Sequence, residues 1–90
     1  MYIPIGMNIG KMQKLSNGRH ALSGDVEVYI FDGKKHREGG PAETNKRTGY
    51  RAWFKHGLLH RMGGPAVIDP EHNMEEYWQN GKLIRKESMC

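Results

Sequence analysis

The chain has 90 residues, of which 37% are hydrophobic, so it is long enough for one small domain whose core lies near the lower limit for independent folding. The formal net charge is +4, and residues 33–61 alone carry +6. The single cysteine, Cys90, excludes an internal disulfide and a zinc site built from several cysteines of one chain. No segment reaches the roughly 20 apolar residues that cross a bilayer, so we expect a cytoplasmic protein outside the membrane.

Residues 1–31 predict an irregular N-terminal cap that contains a shortened, degenerate repeat. Residues 24–31 alternate between polar and apolar side chains, as a half-buried strand does, and they end at Asp32-Gly33. Asp-Gly between such segments favours a tight hairpin turn, because both central positions of a type I′ turn have positive φ.

A motif then occurs twice at an offset of 24 residues and begins a third time. The recurring residues are Gly33, His36, Arg37, Gly40 and Pro41 in the first copy, Gly57, His60, Arg61, Gly64 and Pro65 in the second, and Gly81 in the third. A fixed period of this size indicates a repeat architecture. We assign these residues to a structural role, because a residue that recurs in every copy serves a task that recurs in every copy.

Each full copy reads as two short strands joined by a turn. Asn45–Gly49 and Asp69–Asn73 carry the turn residues, and aromatic or β-branched residues surround them. His56-Gly57 and Asn80-Gly81 mark a second turn in each copy. The sequence therefore predicts an all-β, antiparallel meander of hairpin repeats in a single domain, 1–90, with repeats at 32–56 and 57–80 and a partial repeat with a polar tail at 81–90.

The motif Gly-x-x-His-Arg-x-Gly-Gly-Pro-Ala, with an aromatic residue four positions before its first glycine, resembles the His-Arg-x-x-Gly-Pro-Ala repeat of bacteriophage and large-virus proteins. It is also similar to MORN-type hairpin repeats, including the MORN-like repeats of bacterial antitoxin-type proteins. The resemblance covers residues 29–85 and implies a β-hairpin scaffold for protein or lipid contact, without a catalytic signature. The third copy departs from it, because Ile84 stands in place of histidine and Gly-Gly-Pro-Ala is missing.

The aromatic residues form two rows at the same period. Tyr29, Trp53 and Tyr77 belong to one row, and Ile30, Phe54 and Trp78 to the other. Neighbouring residues of a strand point to opposite faces, so the rows lie on the two faces of the sheet. One row is covered by the protein itself. The other is either covered by turns or available to a partner or a second copy of the chain, and we expect a homodimer.

The paired His-Arg residues also allow a second interpretation, a His/Arg-based nuclease or other hydrolase. Equivalent positions in successive hairpins lie two strands apart, about 9–10 Å, which is unfavourable for a shared proton or metal ion. We therefore predict a protein that is not an enzyme, with no catalytic residues, no metal site and no cofactor.

The function predicted from these patterns is binding of a partner protein, as a phage-encoded inhibitor of a host factor or defence system, or in an antitoxin-like role. The candidate partner-binding residues are Arg47, Arg51, Trp53, Phe54, Tyr77 and Trp78, because aromatic residues and arginine dominate interface hot spots. The alternative is a basic regulator that binds nucleic acid, since Arg47, Arg51 and Trp53 lie on one predicted hairpin and together suit a single strand.

Overall fold

The computed structural model describes residues 15–89, so residues 1–14 of the expected cap and Cys90 lie outside the described residues. The described residues form strands and no helix, which confirms the all-β prediction. The strands are β1 (Gly18–Ala21), β2 (Val26–Phe31), β3 (Lys34–Lys35), β4 (Glu43–Asn45), β5 (Tyr50–Ala52), β6 (Phe54–Lys55), β7 (Leu58–Leu59), β8 (Val67–Asp69), β9 (Met74–Gln79) and β10 (Lys82–Ser88).

Most strands belong to one sheet, with the order β1-β2-β4-β5-β8-β9-β10. The strand β3 pairs with the far half of β2, and β6 and β7 form a separate two-stranded ribbon. Every pairing is antiparallel, as the sequence predicts. The described residues form an elongated body of 44 × 24 × 22 Å, which contains no helix with the length and apolar character needed to cross a membrane.

Three tight turns close the hairpins at positions 24 residues apart. Asp32 and Gly33 have φ of 55° and 75°, the pair His56-Gly57 has 50° and 83°, and the pair Asn80-Gly81 has 48° and 81°. Two successive positive φ angles are the mark of the type I′ turn, whose twist matches that of the flanking strands. Glycine in the second position adopts this conformation without steric cost, which explains why each turn ends in glycine.

The core is small and consists of few side chains. Val28, Ala42, Ala52 and Ala66 are at most 1% exposed, while Val67 is 6% exposed. The alanines lie where chains approach closely, since the Ala42 N–H donates to the Ala52 carbonyl at 2.9 Å. A core of this size supplies limited hydrophobic stabilisation, so contacts between hairpins carry much of the stability.

The strand β10 occupies seven of the ten residues 81–90, where the sequence predicts a partial repeat and a polar tail. It pairs with β9 as far as the Ser88–Met74 partners, although all of its residues are exposed. The Asn80-Gly81 turn places it beside β9, whose backbone groups on that side need partners, and this pairing is sufficient to order a polar segment.

Candidate functional site

A row of arginine–aromatic pairs lies along the sheet. The guanidinium carbon of Arg37 is 4.0 Å from the centre of the Tyr29 ring. The same contact recurs 24 and 48 residues later, where Arg61 covers Trp53 at 3.9 Å and Arg85 covers Tyr77 at 3.9 Å. A guanidinium over an aromatic face is attracted by the negative potential of the ring, and each pair also shields its aromatic ring from water.

The first arginine is held by a loop of residues 36–42, here called the first Arg loop. It interrupts the pairing of β2, because Ile30 pairs with Lys35 and Val28 with Glu43. Tyr29 is the one β2 residue opposite the loop, and the backbone of Tyr29 forms a hydrogen bond with each end of the loop. The Tyr29 carbonyl accepts the His36 N–H at 3.0 Å and the Tyr29 N–H donates to Ala42 at 2.7 Å.

The second Arg loop, residues 60–66, has the same construction around Trp53. The two closing hydrogen bonds are 3.0 and 2.7 Å long, with every residue moved by 24 positions. Each Arg loop is thus an enlarged bulge opposite one aromatic residue, and its arginine folds back over the ring of that same residue.

Inside each Arg loop, the glycine and proline residues position the arginine. Arg37 Nη1 donates to the Pro41 carbonyl at 3.1 Å, and Arg61 Nη1 donates to the Pro65 carbonyl at 3.0 Å. A Cβ atom on Gly40 or on Gly64 would lie 3.0 Å from the guanidinium group. These contacts give a physical reason for the recurring pattern Arg-x-Gly-Gly-Pro: a side chain on the second glycine would displace the arginine.

The two histidines of the motif contact the turn of the following hairpin. The Nδ1 atom of His36 accepts the N–H of His56 at 2.9 Å, and Nδ1 of His60 accepts the N–H of Asn80 at 3.0 Å. The Asn17 side chain does the same for the first turn, because its Oδ1 accepts the N–H of Asp32 at 2.8 Å. A backbone amide therefore occupies one nitrogen of each imidazole.

The motif arginines also separate two grooves on this side of the molecule. The first groove, of about 420 Å³, lies between Arg37 and Arg61 and includes Trp53, Phe54 and Lys55. The second, of about 500 Å³, lies between Arg61 and Arg85 and includes the residues that follow by 24 positions, Tyr77, Trp78 and Gln79. Arg61 lines both grooves. Each groove therefore has aromatic residues at its centre and an arginine on either side.

The structure brings together four of the six residues that the sequence suggests for partner binding. Trp53, Phe54, Tyr77 and Trp78 all line the grooves and are half-buried, so residues of both aromatic rows, which were expected on opposite faces of the sheet, border the same grooves. Arg47 and Arg51 lie outside both grooves.

The two excluded arginines have different surroundings. Arg47 is in the exposed turn after β4, where its Nε is 3.9 Å from Asp25 Oδ2. Arg51 is exposed on β5 and is the register partner of Thr44 and Ile68.

Sequence reasoning gave Arg37 and Arg61 a structural role only and left Arg85 out. All three line the grooves. A usable signal was present, since Arg85 keeps the period of 24 in the third copy although the histidine and Gly-Gly-Pro-Ala are missing there.

Titratable groups outside the Arg loops have local causes for their behaviour. Burial raises the pKa of Tyr50, and the nearby carboxylates of Glu43, Asp69 and Glu76 add to the effect. The hydrogen bond from His72 Nδ1 to Asp69, 2.8 Å long, raises the pKa of that exposed imidazole. The hydrogen bond to Glu87 raises the pKa of Arg85.

Within residues 15–89, no three histidine, cysteine or acidic side chains are grouped so that they could hold a metal ion. The chain gives no match to protein-family models, to curated proteins or to solved structures. The contacts themselves are therefore the basis for a functional assignment.

Proposed function

We propose that the chain is a small non-enzymatic protein-binding module, built from MORN-like β-hairpin repeats of about 24 residues, that binds an acidic segment of a partner protein in its two grooves. The observation that carries the proposal is the recurrence of the grooves: equivalent residues, 24 positions apart, twice place an aromatic pair between two arginines.

The repeat part of the proposal is supported by contacts that recur at the same offset as the sequence motif. Arginine stacking, loop closure and docking of the turns all recur after 24 residues. Hairpins that each dock on the preceding one form an extended surface, and repeat proteins use such surfaces for binding.

The charge of the grooves supports an acidic ligand, because Arg37, Lys55 and Arg61 outnumber Glu38, the one acidic residue among the described residues that line the first groove. An arginine has five N–H donors in a planar fork, which suits a carboxylate, and the Nη1–Pro hydrogen bond of each Arg loop occupies only one of them. Stacking holds Arg61 in place before a ligand arrives, so binding loses less side-chain entropy. Lys55, which is exposed, adds a mobile positive charge to the first groove.

Protein is favoured over single-stranded nucleic acid because of what covers the aromatic rings. Bases stack on open aromatic faces, whereas Arg61 lies over Trp53 and Arg85 over Tyr77. An acidic peptide needs only guanidinium donors and apolar contact, and the grooves offer both. The contact of each motif histidine with a backbone amide likewise supports scaffolding over hydrolysis.

The resemblance to phage and antitoxin-type repeats extends the proposal to a biological role. A small phage-encoded protein with this surface would inhibit a host factor or defence system by occupying an acidic site on it. An antitoxin-like role is the same mechanism directed at a toxin. Both roles place the protein in the cytoplasm.

Two lysines that differ in position test the binding site. Lys55→Glu reverses a charge in the first groove, and Lys46→Glu makes the same change in the exposed turn after β4. We measure binding of a peptide of alternating glutamate and leucine by tryptophan fluorescence at low salt. Lys55→Glu should weaken binding about tenfold, as expected for loss of one close charge pair, while Lys46→Glu should leave it nearly unchanged.

Equal effects of the two substitutions would remove the grooves as the binding site. Binding of single-stranded RNA in place of the peptide, lost when Arg47 and Arg51 are reversed in charge, would favour the nucleic-acid alternative. Phe54→Ala and Trp78→Ala, checked for retained fold by circular dichroism, should both reduce capture of a candidate host protein.

A further inference from the structure

The strand β10 forms an open edge of the main sheet, and its residues are all exposed. On one side it pairs with β9, and no described residue pairs with it on the other side. A strand of this length at an edge presents a row of backbone N–H and C=O groups that another strand can use. From the charge pattern of this strand, we propose that β10 pairs antiparallel with β10 of a second copy of the chain, with Arg85 opposite Glu87.

The backbone ladder limits the registers that such a pair can adopt. The Ala66 N–H donates to the Glu76 carbonyl, so the backbone groups of Glu76 face β8. Lys86 is the register partner of Glu76 across the β9–β10 pair, and its own N–H and C=O therefore point away from β9. A second strand has to meet β10 at Lys86 and at every second residue from it.

The side chains select one of these registers. When Lys86 meets Lys86 of the second copy, the two-fold symmetry places each Arg85 opposite the other copy's Glu87. Arg85 and Glu87 already form an ion pair of 2.7 Å within one chain. The dimer would extend it to a cluster of two guanidinium groups and two carboxylates. This register contains one like-charge pair, Lys86 with Lys86, and two opposite-charge pairs that offset it. The register where Glu87 meets itself also contains a like-charge pair, which is unfavourable across a ladder, and it lacks the two opposite-charge pairs.

Charge also argues against pairing with the opposite edge of the sheet. The edge strand β1, Gly18–Ala21, contains no acidic residue, so it offers Arg85 no partner of the kind that Glu87 of a second copy supplies. In the two-fold pair, by contrast, each Lys86 keeps Glu76 of its own chain as a cross-strand neighbour. The second copy in antiparallel orientation is therefore the occupant that fits this edge.

Charge reversal and re-pairing test the interface directly. Sedimentation equilibrium of the full chain at low salt should show a monomer–dimer equilibrium. The affinity should be weak, because one pair of short strands buries little surface area. Arg85→Glu and Glu87→Arg each create two like-charge pairs and should raise the dissociation constant about tenfold. An equimolar mixture of the two variants restores both opposite-charge pairs and should dimerise as the unchanged chain does. Circular dichroism checks that each variant is folded.

A second pair of variants tests the backbone contact. Lys86→Pro removes the outward N–H without removing a hydrogen bond to β9, and it should abolish the dimer. Lys86→Ala keeps the N–H and removes the meeting of like charges, so it should retain or strengthen the dimer. A chain that stays monomeric up to about 1 mM, where even weak contacts of this kind form, would overturn the proposal. So would a dimer that both single charge reversals leave unchanged, or a mixture of the variants that remains monomeric.

Discussion

The second Arg loop and the segment at Ile84–Arg85 both place an arginine over an aromatic ring, but they differ in length. Residues 60–66 stand between two paired residues, Leu59 and Val67, whereas only Ile84 stands between the paired residues Leu83 and Arg85. Both arginines nevertheless lie 3.9 Å from their aromatic ring. The arginine–aromatic contact is therefore independent of the loop that surrounds it.

What the full loop adds is an anchor and a docking site. Arg61 bonds to the Pro65 carbonyl, whereas Arg85 bonds to the carboxylate of Glu87 in an exposed strand. The second Arg loop also receives the next hairpin, since the Arg61 N–H donates to the Trp78 carbonyl at 3.2 Å and His60 accepts from Asn80. The shortened segment has Ile84 at the position that corresponds to His60, and the side chain of isoleucine has no hydrogen-bond acceptor.

The largest difference between the two regions should follow from removing the arginine. Arg61→Ala loses a stacked guanidinium and a hydrogen bond to a half-buried carbonyl, and it should lower the free energy of unfolding by about 2 kcal/mol. Arg85→Ala removes the equivalent contact from an exposed strand and should cost clearly less. Urea denaturation measures both, and equal losses would contradict the role given to the loop.

A smaller effect should come from the second glycine of the loop. Gly64→Ala places a methyl group 3.0 Å from the Arg61 guanidinium and should cost about 1 kcal/mol by displacing it. In an Arg61→Ala background the same substitution should cost almost nothing. A double-mutant cycle from urea denaturation therefore yields a coupling of about 1 kcal/mol, and additive effects would argue that the glycine serves another purpose.

A smaller effect still should follow from the histidine that the shortened segment lacks. His60→Ala removes the acceptor for the Asn80 N–H and should lower stability by roughly 0.5–1 kcal/mol. His60→Asn provides a side-chain oxygen like that of Asn17, which already accepts the N–H of Asp32. It should recover part of the loss in thermal denaturation. If asparagine and alanine are equally poor, docking of the turn depends on the imidazole ring itself.

The smallest expected effect is a pH dependence of stability that the turn before β9 has and the turn before β5 lacks. Asn45 Oδ1 accepts the Arg47 N–H in the first, while Asp69 bonds the His72 ring in the second. Because the folded-state pKa of His72 is raised, its contribution to stability is complete below the ordinary value of about 6.5 and is lost as pH rises through the folded-state pKa. An NMR titration should show the raised pKa, and Asp69→Asn should return it to its ordinary range.

The sequence was sufficient for the strand class and for the turns. Asp32-Gly33 and Asn80-Gly81 predict type I′ geometry from local chemistry alone, and both have the expected positive φ. The grooves were not predictable in the same way. The position of Arg61 depends on the backbone conformation between Trp53 and Val67. The motif gives the number of residues in this segment but not their conformation.

The same reason explains why the sequence indicates a structural role for the arginines and does not place them in grooves. Recurrence identifies His36, Arg37 and their equivalents as residues with a repeated task, and they do contact the scaffold. A side chain can hold a loop in place with one donor and still direct others to a ligand. In the proposed function Arg61 does both, because it bonds to Pro65 and lines both grooves.

The docking of each turn on the hairpin before it has a consequence for how the molecule loses structure. His56 and Asn80 obtain their amide partners from residues that precede them by 20 positions, and the strands with extensive mutual contact are sheet neighbours close together in the chain. Within residues 15–89, order therefore spreads between adjacent hairpins, and no distant part of that range is needed to hold them. In the monomer, amide hydrogen exchange should be fastest along the edge strands β1 and β10, which each have a sheet neighbour on one side only. It should be slowest at Val28 and Ala52 in the interior.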